Sequence, residues 1–203
     1  MDDLKFYYQV VTALDEIEAP YMIVGAFAGL SFGIQRNTFD IDIIVDLREQ
    51  DFDALSKRFP LPRYYADPEM MRNSTEMGIM FNLIDTEEGI KADLVPLSRE
   101  PEYQQAFNRR IRRRFKLPTF QPFEAWCAQP TDIIIGKLQA WTEGRSNKHA
   151  YDIHQMLIFA MKGFSDQPIF FDEVEKQAKR MDLETLKLWL GLVELAKQAI
   201  AGE

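Results

Sequence analysis

Apolar residues recur at Leu4, Tyr7, Tyr8, Val11, Leu14 and Ile17, the spacing of one helix face, and predict an α-helix over 3–19 that Pro20 ends. "YMIV" (21–24) is a short β-prone run halted by Gly25, and "AFAGLSFG" (26–33) suits a small-residue helix packed close to a sheet. "FDIDIIVDL" (39–47) alternates as a strand, and "REQDFDALSKRF" (48–59) repeats as an amphipathic surface helix. Two further apolar runs, "GIMFNLID" (78–85) and "IKADLVPL" (90–97), flank "TEEG", which predicts adjacent antiparallel strands joined at Gly89. A helix over "EPEYQQAF" (100–107) and an edge strand over "RRIRRRFKL" (109–117) follow. From Thr131 the pattern is helical throughout, over 131–144, 149–163, 171–180 and 183–200, with Gly, Ser, Pro and Asp as separators. The expected fold is α+β: a mixed β-sheet packed by helices over 1–123, then a C-terminal helical part over 124–203. The chain shows no internal repeat and no low-complexity segment.

Asp40 and Asp42 break this pattern where charge is costly. They interrupt a strongly apolar run, and Asp is among the residues depleted from strands. On a strand they share a face, with Cα atoms about 6–7 Å apart, so both carboxylates reach one cation. Magnesium accepts few protein carboxylates and completes its octahedron with water and substrate phosphate. Asp93 in "IKADLVP" joins the pair if its strand lies alongside, and three adjacent carboxylates repel one another unless cations neutralise them. The competing expectation is that Asp40 and Asp42 line the solvent face of an antiparallel strand. Asp46 has the same parity but falls at the strand end, where a turn or capping role is expected.

Composition narrows the class. A chain of 203 residues, 46% hydrophobic and 28% charged, is long enough to bury a substantial core. Its net charge of −8 argues against a protein that merely coats nucleic acid by charge. The single Cys127 forms no intramolecular disulfide, and with only His149 and His154 beside it no zinc cluster is expected. The start "MDDLKFYYQV" lacks the pattern of a signal peptide. The uncharged run Pro20–Gln35 carries three glycines and stops short of the ~20 apolar residues of a membrane span. A cytoplasmic protein without a membrane segment is expected.

Three stretches taken in order resemble the nucleotidyltransferase superfamily, whose fold is shared with DNA polymerase β, and within it the AbiEii-like and minimal nucleotidyltransferases. "IVGAFAGLSFGIQRNTFDIDIIV" is similar to the family's strand, Gly-rich turn, helix and Asp-x-Asp strand. "KADLVP" is similar to the strand that supplies a third carboxylate, and "PTDIIIGKLQAWTEGRSNKHAYDIHQML" to a downstream helical motif of Lys, Arg and Lys-x-x-x-Asp. The resemblance implies transfer of a nucleoside monophosphate from a nucleoside triphosphate to a hydroxyl acceptor. Asp40 and Asp42 would hold Mg2+, while Asp93 would complete a second metal site and help deprotonate the acceptor. It also implies that Gly25 and Ala26 bring backbone amides to the triphosphate, although Ala26 stands where Gly or Ser is usual and supplies no hydroxyl. Arg36 and Thr38, just before the Asp-x-Asp strand, could reach phosphate oxygens or form a solvated turn. Lys137 and Asp152, a pair suggested already by a lysine on an apolar helix face, would lie near the nucleotide. Arg145 and Lys148 read as solvated helix-end charges. An antitoxin partner, as in toxin–antitoxin systems, belongs to the same resemblance.

One positive segment stands out from the acidic background. In a strand, Arg110, Arg112 and Arg114 share a face and could follow an RNA backbone, or they could protect an edge strand by charge and salt bridges. His149 and His154, five apart, fall on different helix faces and read as structural. Two alternatives stay open: a fold of this kind that binds nucleotide or a partner without catalysis, and a transferase acting on small molecules such as aminoglycosides.

Overall fold

The computed structural model of the protein describes residues 2–36, 38, 40–116 and 120–202. It is α+β, with a mixed sheet of seven strands. The elements run α1 (Asp2–Glu16), β1 (Tyr21–Val24), α2 (Gly25–Gly29), β2 (Ile41–Val45), α3 (Glu49–Arg58), β3 (Tyr64–Tyr65), α4 (Pro68–Glu76), β4 (Phe81–Asp85), β5 (Ile90–Pro96), α5 (Tyr103–Asn108), β6 (Ile111–Phe115) and β7 (Phe123–Cys127). Four helices close the chain: α6 (Pro130–Gly144), α7 (Asn147–Met161), α8 (Phe171–Met181) and α9 (Leu183–Ala201).

The chain forms two compact units. One comprises 1–27 and 38–128; the other comprises 28–37 and 129–203. The first holds the whole sheet, in the order β3-β4-β5-β2-β1-β7-β6. β2 pairs antiparallel with β1 and parallel with β5, so it is a central strand, and Ile41, Ile43, Ile44 and Val45 are buried accordingly. Burying each such side chain contributes about 1.5–3 kcal/mol. From the predicted face of α1, Tyr7, Val11 and Leu14 enter this core while Leu4, Tyr8 and Ile17 are half-buried, and Phe6 and Val10, outside that face, are buried with them. Phe6 packs edge-on against Phe59 and stacks on Tyr64, while Tyr7 meets Phe27 edge-on.

β4 and β5 form the expected antiparallel hairpin, with Gly89 at φ +68° in the turn. Buried Asp85 closes it, accepting from the backbone N–H groups of Glu87 and Glu88 and pairing with Arg63 at 2.9 Å. Three elements go beyond the expected pattern. α4 starts at Asp67, whose side chain accepts from the N–H groups of Glu69 and Met70, with Pro68 in the first turn. β3 is a two-residue edge strand. β7 alternates buried and accessible positions, pairs parallel with β1 and antiparallel with β6, and carries the sheet past Phe123, where the sequence suggested that the sheet part ends.

In the helical unit, α6–α9 bury Ile133, Ile134, Leu138, Ile153, Met156, Leu157, Trp189 and Leu192. The 28–37 segment belongs here: Gly33, at φ +100°, lies so close to Phe159 that a Cβ would come within 2.4 Å of the Phe159 Cβ. No helix among the described residues is long and apolar enough to cross a membrane.

Candidate active site

The parallel register of β2 and β5 sets Asp42 directly beside Asp93. Neighbouring strands lie about 4.8 Å apart, so two carboxylates share one face of the sheet at close range. Asp40 falls just before β2 rather than within it, and is exposed, while Asp42 is half-buried and Asp93 buried. The exposure of Asp40 follows from its place at the strand's entrance, and the Thr38 hydroxyl donates to its backbone carbonyl at 3.1 Å. Asp46 lies past the strand end, its N–H donating to the Pro20 carbonyl.

Gly25 has φ +67°, and an added Cβ would lie 2.5 Å from Asp42 Oδ2. A side chain there would both strain the backbone and displace the carboxylate. Ala26, next in α2, is partly accessible.

Asp93 is held from two directions. The Lys91 ammonium, two residues earlier on the same face of β5, lies 2.8 Å from both carboxylate oxygens. The side-chain amide of Asn82, its cross-strand partner on β4, donates to Oδ1. The hydrogen bond to Asp93 raises the Lys91 pKa above the usual lysine value against the opposing effect of burial, with attraction from Asp93, Asp40 and Asp42 adding to the rise. All three carboxylates thus act on one ammonium. Sequence parity already put Lys91 on the face of Asp93, a signal the motif-based reading passed over.

The residues suit a hard divalent ion unevenly. Asp40 and Asp42 offer oxygen donors at the accessible end of a strand, as a metal shared with substrate phosphate requires. Asp93, expected to complete a second metal site, already holds an ammonium across both oxygens. Among the described residues no group of three or more His, Cys, Asp or Glu side chains is placed to hold a metal ion together.

The remaining candidates on α6, α7 and the 28–37 segment belong to the helical unit. In the helical unit, Arg36 donates through Nε and Nη2 to the two oxygens of Asp152, at 2.7 and 2.8 Å, and Lys137 donates to Asp152 Oδ2 at 2.7 Å. Burial opposes ionisation of Asp152, yet hydrogen bonds from Arg36 and Lys137 outweigh it and hold its pKa below the usual carboxylate range. His149 is depressed by burial and by Lys137 and Lys148. Arg145, at the C-terminus of α6, pairs with Asp182 and Glu184.

The arginine stripe is taken up by its own surroundings. β6 is an edge strand, as expected, but Arg110 precedes it and lies over the Phe107 and Trp126 rings. Arg112 makes two hydrogen bonds to Asp15, and Arg114 faces Glu124 across the β6–β7 ladder. Cys127 is buried, which pushes its thiol up to about 12 and leaves it inert.

No protein-family model and no curated protein sequence matches the chain. The solved structures similar to it in the course of the chain include the following three. The antibiotic-resistance factor ANT(2'')-Ia is 14% identical, with 100% of this chain and 96% of that chain covered and a TM-score of 0.48. JHP933 from Helicobacter pylori is 14% identical, over 97% of this chain and 90% of that chain, with a TM-score of 0.49. An antigenic nucleotidyltransferase-like protein from Paracoccidioides brasiliensis is 16% identical, over 77% and 76% of the two chains, with a TM-score of 0.47.

Proposed function

We propose that the chain is a divalent-metal-dependent nucleotidyltransferase, moving a nucleoside monophosphate from a nucleoside triphosphate to a hydroxyl acceptor. The observation that carries this is the register of β2 and β5, which brings Asp42 beside Asp93 with Asp40 at the strand's entrance and Gly25 against Asp42. Asp40 and Asp42 are the residues to hold magnesium. When bound, that ion neutralises phosphate charge and acts as a Lewis acid on the phosphoryl oxygens. Gly25 leaves room for the Asp42 carboxylate. Asp93 takes the proton of the acceptor hydroxyl as its oxygen bonds to the α-phosphorus and pyrophosphate departs. Lys91 and Asn82 fix the orientation of Asp93 for that transfer.

The acceptor and the cellular role rest on less. An RNA acceptor rests on the exposed Arg114, with Arg110 and Arg112 engaged within the chain, and a toxin role with an antitoxin partner rests on the AbiEii-like order of motifs in the sequence. Incubating the protein with each labelled nucleoside triphosphate, magnesium, and RNA, protein or aminoglycoside acceptors should label one acceptor class. Asp42→Ala should abolish that labelling, and no transfer under any combination refutes catalysis. A second reading, binding without turnover, is favoured by the engagement of both Asp93 oxygens. Calorimetry showing triphosphate and magnesium binding beside a silent transfer assay supports it.

A further inference from the structure

We propose that Lys91 serves as a built-in second cation, so that this site binds one divalent ion, at Asp40 and Asp42, rather than two; the inference rests on the nucleotidyltransferase reading above. An ionised carboxylate accepts at about four lone-pair sites. Two contacts from Lys91 and one from Asn82 leave one of these on Asp93, the one that the acceptor hydroxyl's proton uses, and none over for a second metal.

Placement makes the contact more than a chance surface pair. Lys91 and Asp93 lie on one face of β5, and the flanking strands present opposite chemistry to Asp93: Asn82 on β4, an amide donor, and Asp42 on β2, another anion. Like charges directly opposite on a sheet are destabilising, so Asp42 and Asp93 need a cation in their company. Lys91 supplies it from within the chain, and its ammonium is attracted by Asp40 and Asp42 as well.

A second divalent ion at Asp93 would have to displace Lys91 or sit against it.

Counting Mn2+ by electron paramagnetic resonance on the full chain, with a non-hydrolysable nucleoside triphosphate analogue, tests this without recourse to activity. One bound ion is expected in the wild type and in Lys91→Arg, and two in Lys91→Met. Two in the wild type overturns the inference, as does one in a folded Lys91→Met. If Lys91→Met fails to fold, the wild-type count alone decides. A count of zero in the wild type overturns the parent reading of a metal-dependent site, and this one with it.

Discussion

Two lysine–aspartate pairs in this protein are nearly alike in bond length and opposite in setting. Lys91 lies 2.8 Å from Asp93, and Lys137 lies 2.7 Å from Asp152. In the sheet unit the lysine side chain is 45% exposed and its aspartate 10%; in the helical unit the figures are 5% and 0%. Charge balance also differs in sign. Lys91 faces three carboxylates, whereas Asp152 faces two cations, Arg36 and Lys137. A salt-bridge distance therefore says little about role. The buried pair, joined by Arg36, links α6 to α7, while the more exposed one lies among anions.

That contrast can be broken by experiment, beginning with the largest expected effect. Asp152→Asn removes the anion shared by buried Lys137 and partly exposed Arg36 and should cost about 3–5 kcal/mol, read as a lower urea midpoint. Asp42→Asn should lower nucleotidyl transfer by about 10³-fold, since it removes a charge-stabilising group at the reacting centre, while thermal melting stays near the wild type. Gly25→Ala should cost about 1–2 kcal/mol for left-handed backbone and should depress transfer further than stability, because the new methyl group reaches Asp42. Lys91→Met should change stability by less than about 1 kcal/mol, as for exposed pairs, which sets it apart from Asp152→Asn in the same assay.

The smallest effect is in pH. The folded pKa of Asp152 is depressed, so its stabilising contribution is complete above the unfolded value of about 3.9 and is lost as pH falls from there through the lower folded value. Denaturant midpoints measured across pH 2–6 should fall on the acid side in the wild type. Asp152→Asn should flatten that limb.

Sequence pattern carried most of the framework for identifiable reasons. The faces of α1, α3 and α6–α9 are long enough for a period of 3.6 to declare itself, and "IDIIV" is apolar enough to read as a strand, its central place coming only from its pairing with β1 and β5. Short or weakly apolar elements escaped. β3 has two residues, too few for any period. α4 has few apolar positions, although the Asp67–Pro68 start was a usable signal. β7, "FEAWC", does alternate, but it lies next to the change from strands to helices and was absorbed into that boundary.

At the site, the alignment of Asp42 with Asp93 needed strand register, which no local pattern records. The partnership of Lys137 with Asp152 was legible because a charge on an apolar face needs an answer. Arg36 as a further donor to Asp152 was not, being 116 residues distant in sequence.

The interleaving of the two units bears on how the molecule can be cut. Because 28–37 belongs with 129–203, a single break after Ala128 cannot yield two self-sufficient fragments. The C-terminal piece would lose Arg36 and leave Asp152 with Lys137 alone, and it would forfeit the packing of Gly33 on Phe159. The N-terminal piece would carry an orphaned excursion between β1 and the strand of Asp42. Co-expression of residues 1–128 with residues 129–203 should therefore recover soluble material where either alone does not.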